Sequence, residues 1–220
     1  MSFAGFPPAA LAFYEGLAAD NSKVYWQANK AVYDDAVKGP MQQLLLDLAE
    51  FGPFHIFRPY NDVRFAKGRP PYKEQIGAVG ESQGGAIFYV AFSATGIIAG
   101  SGYYHMASDQ LERFREAVDD DHRGAEVEAI CARLEKKGFR IGAIDELKTA
   151  PRGYAKDHPR IAILRRKGLT AMMSWDPAEW MHTKAVVKKV RDAWNAAGEV
   201  NAWLDTHVGP STLPPPDFDR

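Results

Sequence analysis

The hydrophobic period changes twice along this 220-residue chain, and that change limits the possible folds more than any single motif does. In the first fifty residues apolar positions recur at helical spacing. Pro8 suits a first helical turn, and Asn21 or Ser22 can cap a helix carrying Val24, Tyr25, Ala28, Val32 and Ala36. Gly39-Pro40 interrupts, and Met41–Glu50 resumes with Leu44, Leu45 and Leu48 before Gly52-Pro53. The period then becomes that of strands, with short aromatic and β-branched runs at Phe54–Phe57, Ala86–Phe92 and Thr95–Ala99. Ala94-Thr95-Gly96 suits the turn of a hairpin over residues 86–100.

From Ser108 the helical spacing returns, with Leu111, Phe114, Arg115 and Val118 in one helix and Val127, Ile130, Cys131 and Leu134 in the next, closed by Gly138. Short strands are predicted at Phe139–Ile141 and Leu169–Trp175, with a short helix between them starting near His158 or Pro159. Asp176-Pro177-Ala178-Glu179 has the composition of a capping box that opens a long final helical region reaching about Thr206. The predicted architecture is α+β: N-terminal helices, a central and mainly antiparallel sheet, and C-terminal helices. No low-complexity linker divides the chain, so a single domain over residues 1–208 is expected, with a Pro-rich surface tail at 209–220.

Composition narrows the classes. Hydrophobic residues at 46% and charged residues at 25% are ordinary for a globular chain and exclude a fibrous or wholly disordered one. The single cysteine, Cys131, rules out an intrachain disulfide. With no apolar stretch of membrane-spanning length and no secretory signal pattern at the start, a cytoplasmic protein is expected. The net charge of −1 disfavours a general nucleic-acid binder, but the charge is unevenly spread. Residues 58–73 hold five Lys/Arg against Asp62, and residues 148–167 hold seven against Asp157, so two basic islands interrupt an acidic chain.

The first island, RPYNDVRFAKGRPPYK, has cations that repel one another unless something negative binds. Guanidinium forks grip carboxylates and phosphates, and lysine adds point charge. Pro59, Pro70 and Pro71 stiffen the run and Gly68 lets it turn, so the cations can be held ready. The expected anion ligands are Arg58, Arg64, Lys67 and Lys73, joined by Arg152 if the two islands converge. Asp62 is the expected orienting carboxylate, and Tyr60, Tyr72 and Tyr154, each close to Arg or Lys, are expected stacking walls. The alternative is a solvated loop paired with the acidic remainder of the chain.

The second island contains PRGYAKDHP, where Asp157 and His158 form a candidate acid–base unit or, equally, a helix cap. Gly100 and Gly102 in AGSGYYHM allow a close backbone approach before a helix, a weak anion-site signal better read as a plain strand-to-helix turn. The six histidines include no pair at helical ligand spacing and Cys131 sits on an apolar face, so neither metal nor thiol chemistry is expected. Trp26 and Tyr33 fit helix packing.

Together the two basic runs, the Asn21–Tyr33 region, the Gly100–Tyr103 turn, Leu111 with Arg115, and Leu164 with Lys167 resemble a family of conserved hypothetical proteins of bacteria and fungi, a domain of unknown function. The resemblance covers about Phe6 to Trp203. The family pattern is similar to R-x-Y-R-D-V-R-F-S-K-D-K-T-P-Y-K, from which this chain departs at Asn61, Gly68, Arg69 and Pro70. The resemblance implies a shared fold and shared sites, and brings no activity or cofactor with it. The expected function is binding of an anionic, phosphate- or carboxylate-bearing small molecule in a basic, aromatic-lined pocket. An enzyme using Asp157 and His158 on such a ligand, and a nucleic-acid or protein-interaction module, are the alternatives. No membrane partner is expected.

Overall fold

In the computed structural model, residues 2–62, 68, 70–82 and 84–214 are described. The helices are α1 (Pro8–Ala19), α2 (Lys23–Val32), α3 (Gly39–Leu46), α4 (Ser108–Asp119), α5 (Asp121–Lys136), α6 (Ile161–Leu164) and α7 (Ala185–His207). The strands are β1 (Phe54–Ile56), β2 (Gln75–Glu81), β3 (Ile87–Ser93), β4 (Gly96–Tyr103), β5 (Arg140–Gly142) and β6 (Leu169–Trp175). They form one antiparallel sheet in the order β1-β2-β3-β4-β6-β5. The α+β architecture is therefore as predicted.

The chain divides into two compact units. The first comprises Met1–Glu81, Phe88–Ala99 and Ser174–Ala193, and the second Ser82–Ile87, Gly100–Met173 and Trp194–Arg220. Buried rings dominate the first, where Phe6 stacks on Phe92 at 4.2 Å and Phe13 meets Tyr14 edge-on at 5.2 Å. In the second, Val127, Ile130 and Leu134 of α5 are buried, as are Phe114 of α4 and Trp203 of α7, which pack edge-on.

Several sequence expectations need correction. Ser22 is the cap of α2, its Oγ accepting the Tyr25 N–H at 3.1 Å. The face chosen from spacing is largely the outer one: Val24 is 76% exposed, whereas Trp26, Tyr33 and Val37 are buried. Gly39-Pro40 does not break the helix. A π-helical turn, Tyr33–Lys38, carries the backbone from α2 straight into α3. Pro40 offers no N–H and its ring crowds the carbonyl four residues back, and the widened turn before it accommodates both.

Strand β2 escaped the sequence reading because Gly77 and Gly80 dilute its β propensity. The glycines make room for neighbours: a Cβ on Gly80 would lie 2.7 Å from the Phe54 ring. Gly100 and Gly102 are not a turn but the end of β4. A Cβ on either would lie 2.2 Å from a β6 carbonyl, that of Ala171 or Leu169, so these glycines serve strand packing. The capping box expected at Asp176–Glu179 is replaced by a 3-10 turn, Glu179–His182. Helix α7 starts later, where the Thr183 hydroxyl accepts the Ala185 N–H at 3.2 Å. The start of the Pro-rich tail is tied down, since the Thr212 N–H donates to Asp109 at 2.8 Å and Arg113 donates to the Pro210 carbonyl at 2.8 Å. No helix among the described residues is long and apolar enough to cross a membrane.

Candidate functional site

The Arg58–Lys73 run closes on itself at its base. The Lys73 N–H donates to the Pro59 carbonyl at 2.8 Å and the Asn61 N–H to the Pro71 carbonyl at 2.9 Å, with Tyr60 and Tyr72 paired antiparallel between them. Prolines have no N–H to contribute, so they enter this neck as acceptors. The Asn61 side chain completes it, donating to the Pro70 carbonyl at 2.8 Å and the Tyr72 carbonyl at 3.1 Å. Asn21, relieved of capping by Ser22, brackets Tyr72 from the other side, accepting its N–H at 3.0 Å and donating to its carbonyl at 3.1 Å. Asn61, where the chain departs from the family pattern, thus has a structural task for which its short amide is suited.

The neck delivers two tyrosines to Trp26. Tyr72 is buried and stacks on the indole at 4.4 Å and 8°. Tyr60 lies 5.8 Å from it and stays 47% exposed. Beside them opens a cavity of about 560 Å³ whose aromatic lining is Trp26, Tyr33, Phe57 and Tyr60. Among the described residues, Lys30, Lys38, Arg58 and Lys73 supply its cations, Asp34 its one carboxylate, and His55 lines it too. Asp34 is already taken by Lys30. The Lys73 ammonium lies over the Phe57 ring, 5.4 Å from its centre. Burial, with Asp34 and Tyr60 adding to it, pushes the Tyr33 phenol up to about 12, so it stays a neutral hydrogen-bond donor.

The π turn decides which residues reach this cavity. Five residues make about 1.4 turns of α-helix, which would rotate Lys38 roughly 140° away from Tyr33. In a π turn residues five apart stack instead, and Tyr33 and Lys38 both line the cavity.

The family model for a conserved hypothetical protein, DUF2461, matches residues 9–203. The chain belongs to that family. No curated protein and no solved structure matches it. The DUF2461 match embraces both basic islands and every described residue that lines the cavity.

Arg58, Tyr60 and Lys73 are the sequence-predicted residues brought together here, with Tyr72 in the wall behind them. Asp62 follows the neck and is not among the described residues lining the cavity. Arg64 and Lys67 lie outside the described residues. Lys30, Asp34, Lys38, His55 and Phe57 were missed, although Trp26, Lys30 and Asp34 at intervals of four were a signal of one shared helical face.

Arg152, Tyr154, Asp157 and His158 belong to the second unit. There the basic island is mostly engaged in structure. Arg160 is buried and donates to the carbonyls of Val118 at 2.6 Å, Asp119 at 3.0 Å and Asp120 at 3.3 Å, where α4 ends and α5 begins. Arg165 donates to the Leu147 carbonyl, and Lys167 pairs with Asp145 at 2.6 Å. Arg152 is exposed and has no ion pair among the described residues. Tyr154 is half-buried, and burial, followed by the charge of Asp119, raises its phenol.

His158 is partnered by Asp119 rather than Asp157, its Nε2 lying 3.1 Å from the carboxylate. Its Nδ1 accepts the Arg160 N–H at 3.0 Å. Both ring nitrogens of His158 are therefore engaged within the protein. Asp157 is exposed, makes no hydrogen bond among the described residues, and does not cap α6, which begins at Ile161.

Proposed function

We propose that the cavity between α2, the π turn and the Arg58–Lys73 neck binds a small anionic molecule that carries a flat ring. The observation supporting this most strongly is the union, in one cavity, of four cations with four aromatic side chains among the described residues, against a single described carboxylate that Lys30 already occupies. Cations held close together on folded backbone repel one another, and a bound phosphate or carboxylate relieves that repulsion. Trp26 is fixed by Tyr72 behind it, while the half-exposed Tyr60 is placed to cover a ring entering from solvent.

A thermal-shift panel of nucleotides, phosphorylated metabolites and dicarboxylates tests this reading. A ligand at a hundred times its Kd stabilises the folded state by about 2.7 kcal/mol. For a chain of this size that raises the melting temperature by roughly 5–10 °C. Arg58→Ala and Tyr60→Ala should each reduce the rise by more than half. A panel in which no ring-bearing anion shifts the wild type, or one whose shift is identical in Arg58→Ala, would remove the proposal.

A further inference from the structure

Resting on that reading, we infer that the anion is a phosphate monoester dianion, gripped by Lys38 and Arg58, rather than a singly charged carboxylate or sulfate. Among the cations lining the cavity, Lys30 is neutralised by Asp34. Lys38 and Arg58 make no ion pair among the described residues, and both are exposed at the cavity. Lys73 adds a third positive charge there, its ammonium over Phe57. Against Lys38 and Arg58 alone, a monoanion would leave one of two positive charges uncompensated. A phosphate monoester carries about −1.5 to −2 at neutral pH and offers three acceptor oxygens, enough for a guanidinium fork and an ammonium at once.

The residue types point the same way. A carboxylate is satisfied by one planar fork, whereas the described lining combines the Arg58 fork with compact ammonium groups that suit a tetrahedral oxyanion approached from several directions. Lys38 is the decisive member because ordinary α-helical geometry would direct it elsewhere. The π turn aligns it with Tyr33 on the cavity side, and π turns recur where helices build functional sites. Tyr33, largely buried, lines the same cavity beside Lys38.

Calorimetric titration with phenyl phosphate, phenyl sulfate and benzoate separates charge and shape while keeping the ring constant. The wild-type protein should bind phenyl phosphate at least tenfold more tightly than either of the others. Lys38→Gln should weaken phenyl phosphate about tenfold and phenyl sulfate much less, with the urea midpoint unchanged. Equal affinity for all three would overturn the phosphate assignment while leaving a ring-bearing anion site standing. Binding of none of them to wild-type protein at millimolar concentration would sink both. The ranking by the wild type stands whether or not Lys38→Gln folds.

Discussion

Trp26→Ala is expected to destabilise the protein by roughly 3–5 kcal/mol, as truncation of a buried aromatic does when its site cannot collapse. The indole is 4% exposed, stacks on Tyr72 and lies within 6 Å of the ring centres of Phe13, Tyr33 and Tyr60. Removing it leaves a void between α1, α2 and the neck, and frees Tyr72, whose backbone Asn21 and Asn61 hold in place. Trp26→Phe keeps a stacking face and should cost under about 2 kcal/mol. Urea denaturation at 25 °C measures both. A loss below about 1 kcal/mol for the alanine variant would mean that the ring cluster does not organise the cavity wall.

The second large effect belongs to Arg160. Helix α4 ends with the carbonyls of Val118 and Asp119, and the buried guanidinium donates to both and to that of Asp120, which also accepts the Gly124 N–H of α5, with the carboxylates of Asp121 and Glu128 at 3.5 and 3.7 Å. Gly124 leaves the space: a Cβ there would lie 2.4 Å from the Arg160 Nε. Hydrogen bonds from a charged group contribute about 1.5–3 kcal/mol each when intact, and water recovers part of that once the side chain is gone, so Arg160→Ala should cost about 3–4 kcal/mol. Arg160→Lys retains the charge without the fork and should recover less than half. Full recovery by lysine would show that charge alone, not the geometry at the helix end, holds this junction.

These two residues also show what the sequence could and could not convey. The architecture was legible because strong periodic runs such as Val127–Leu134 and the 86–100 hairpin report burial directly. Strand β2 was not, because Gly77 and Gly80 are there for the rings of their neighbours, a tertiary reason invisible in local propensity. The basic-aromatic character of the site was legible in Arg58, Tyr60, Tyr72 and Lys73. Its other wall was not, since Lys30 and Lys38 read as ordinary surface lysines until a π turn stacks Lys38 over Tyr33. Charge counting promoted the second island, yet much of that charge belongs to Arg160, Arg165 and Lys167, which are bonded to nearby carbonyls or carboxylates. A count of lysines and arginines cannot separate cations awaiting a ligand from cations already engaged.

The most direct measurement is a two-dimensional NMR titration of the ¹⁵N-labelled protein with phenyl phosphate, following the indole N–H of Trp26 and the side-chain Nε–H of Arg58. Both signals are expected to move progressively and to saturate together, with those of Trp203 and of residues 152–158 unchanged. Saturable shifts confined to residues 152–158, with Trp26 and Arg58 still, would place the anion at the second basic island and contradict the site described above.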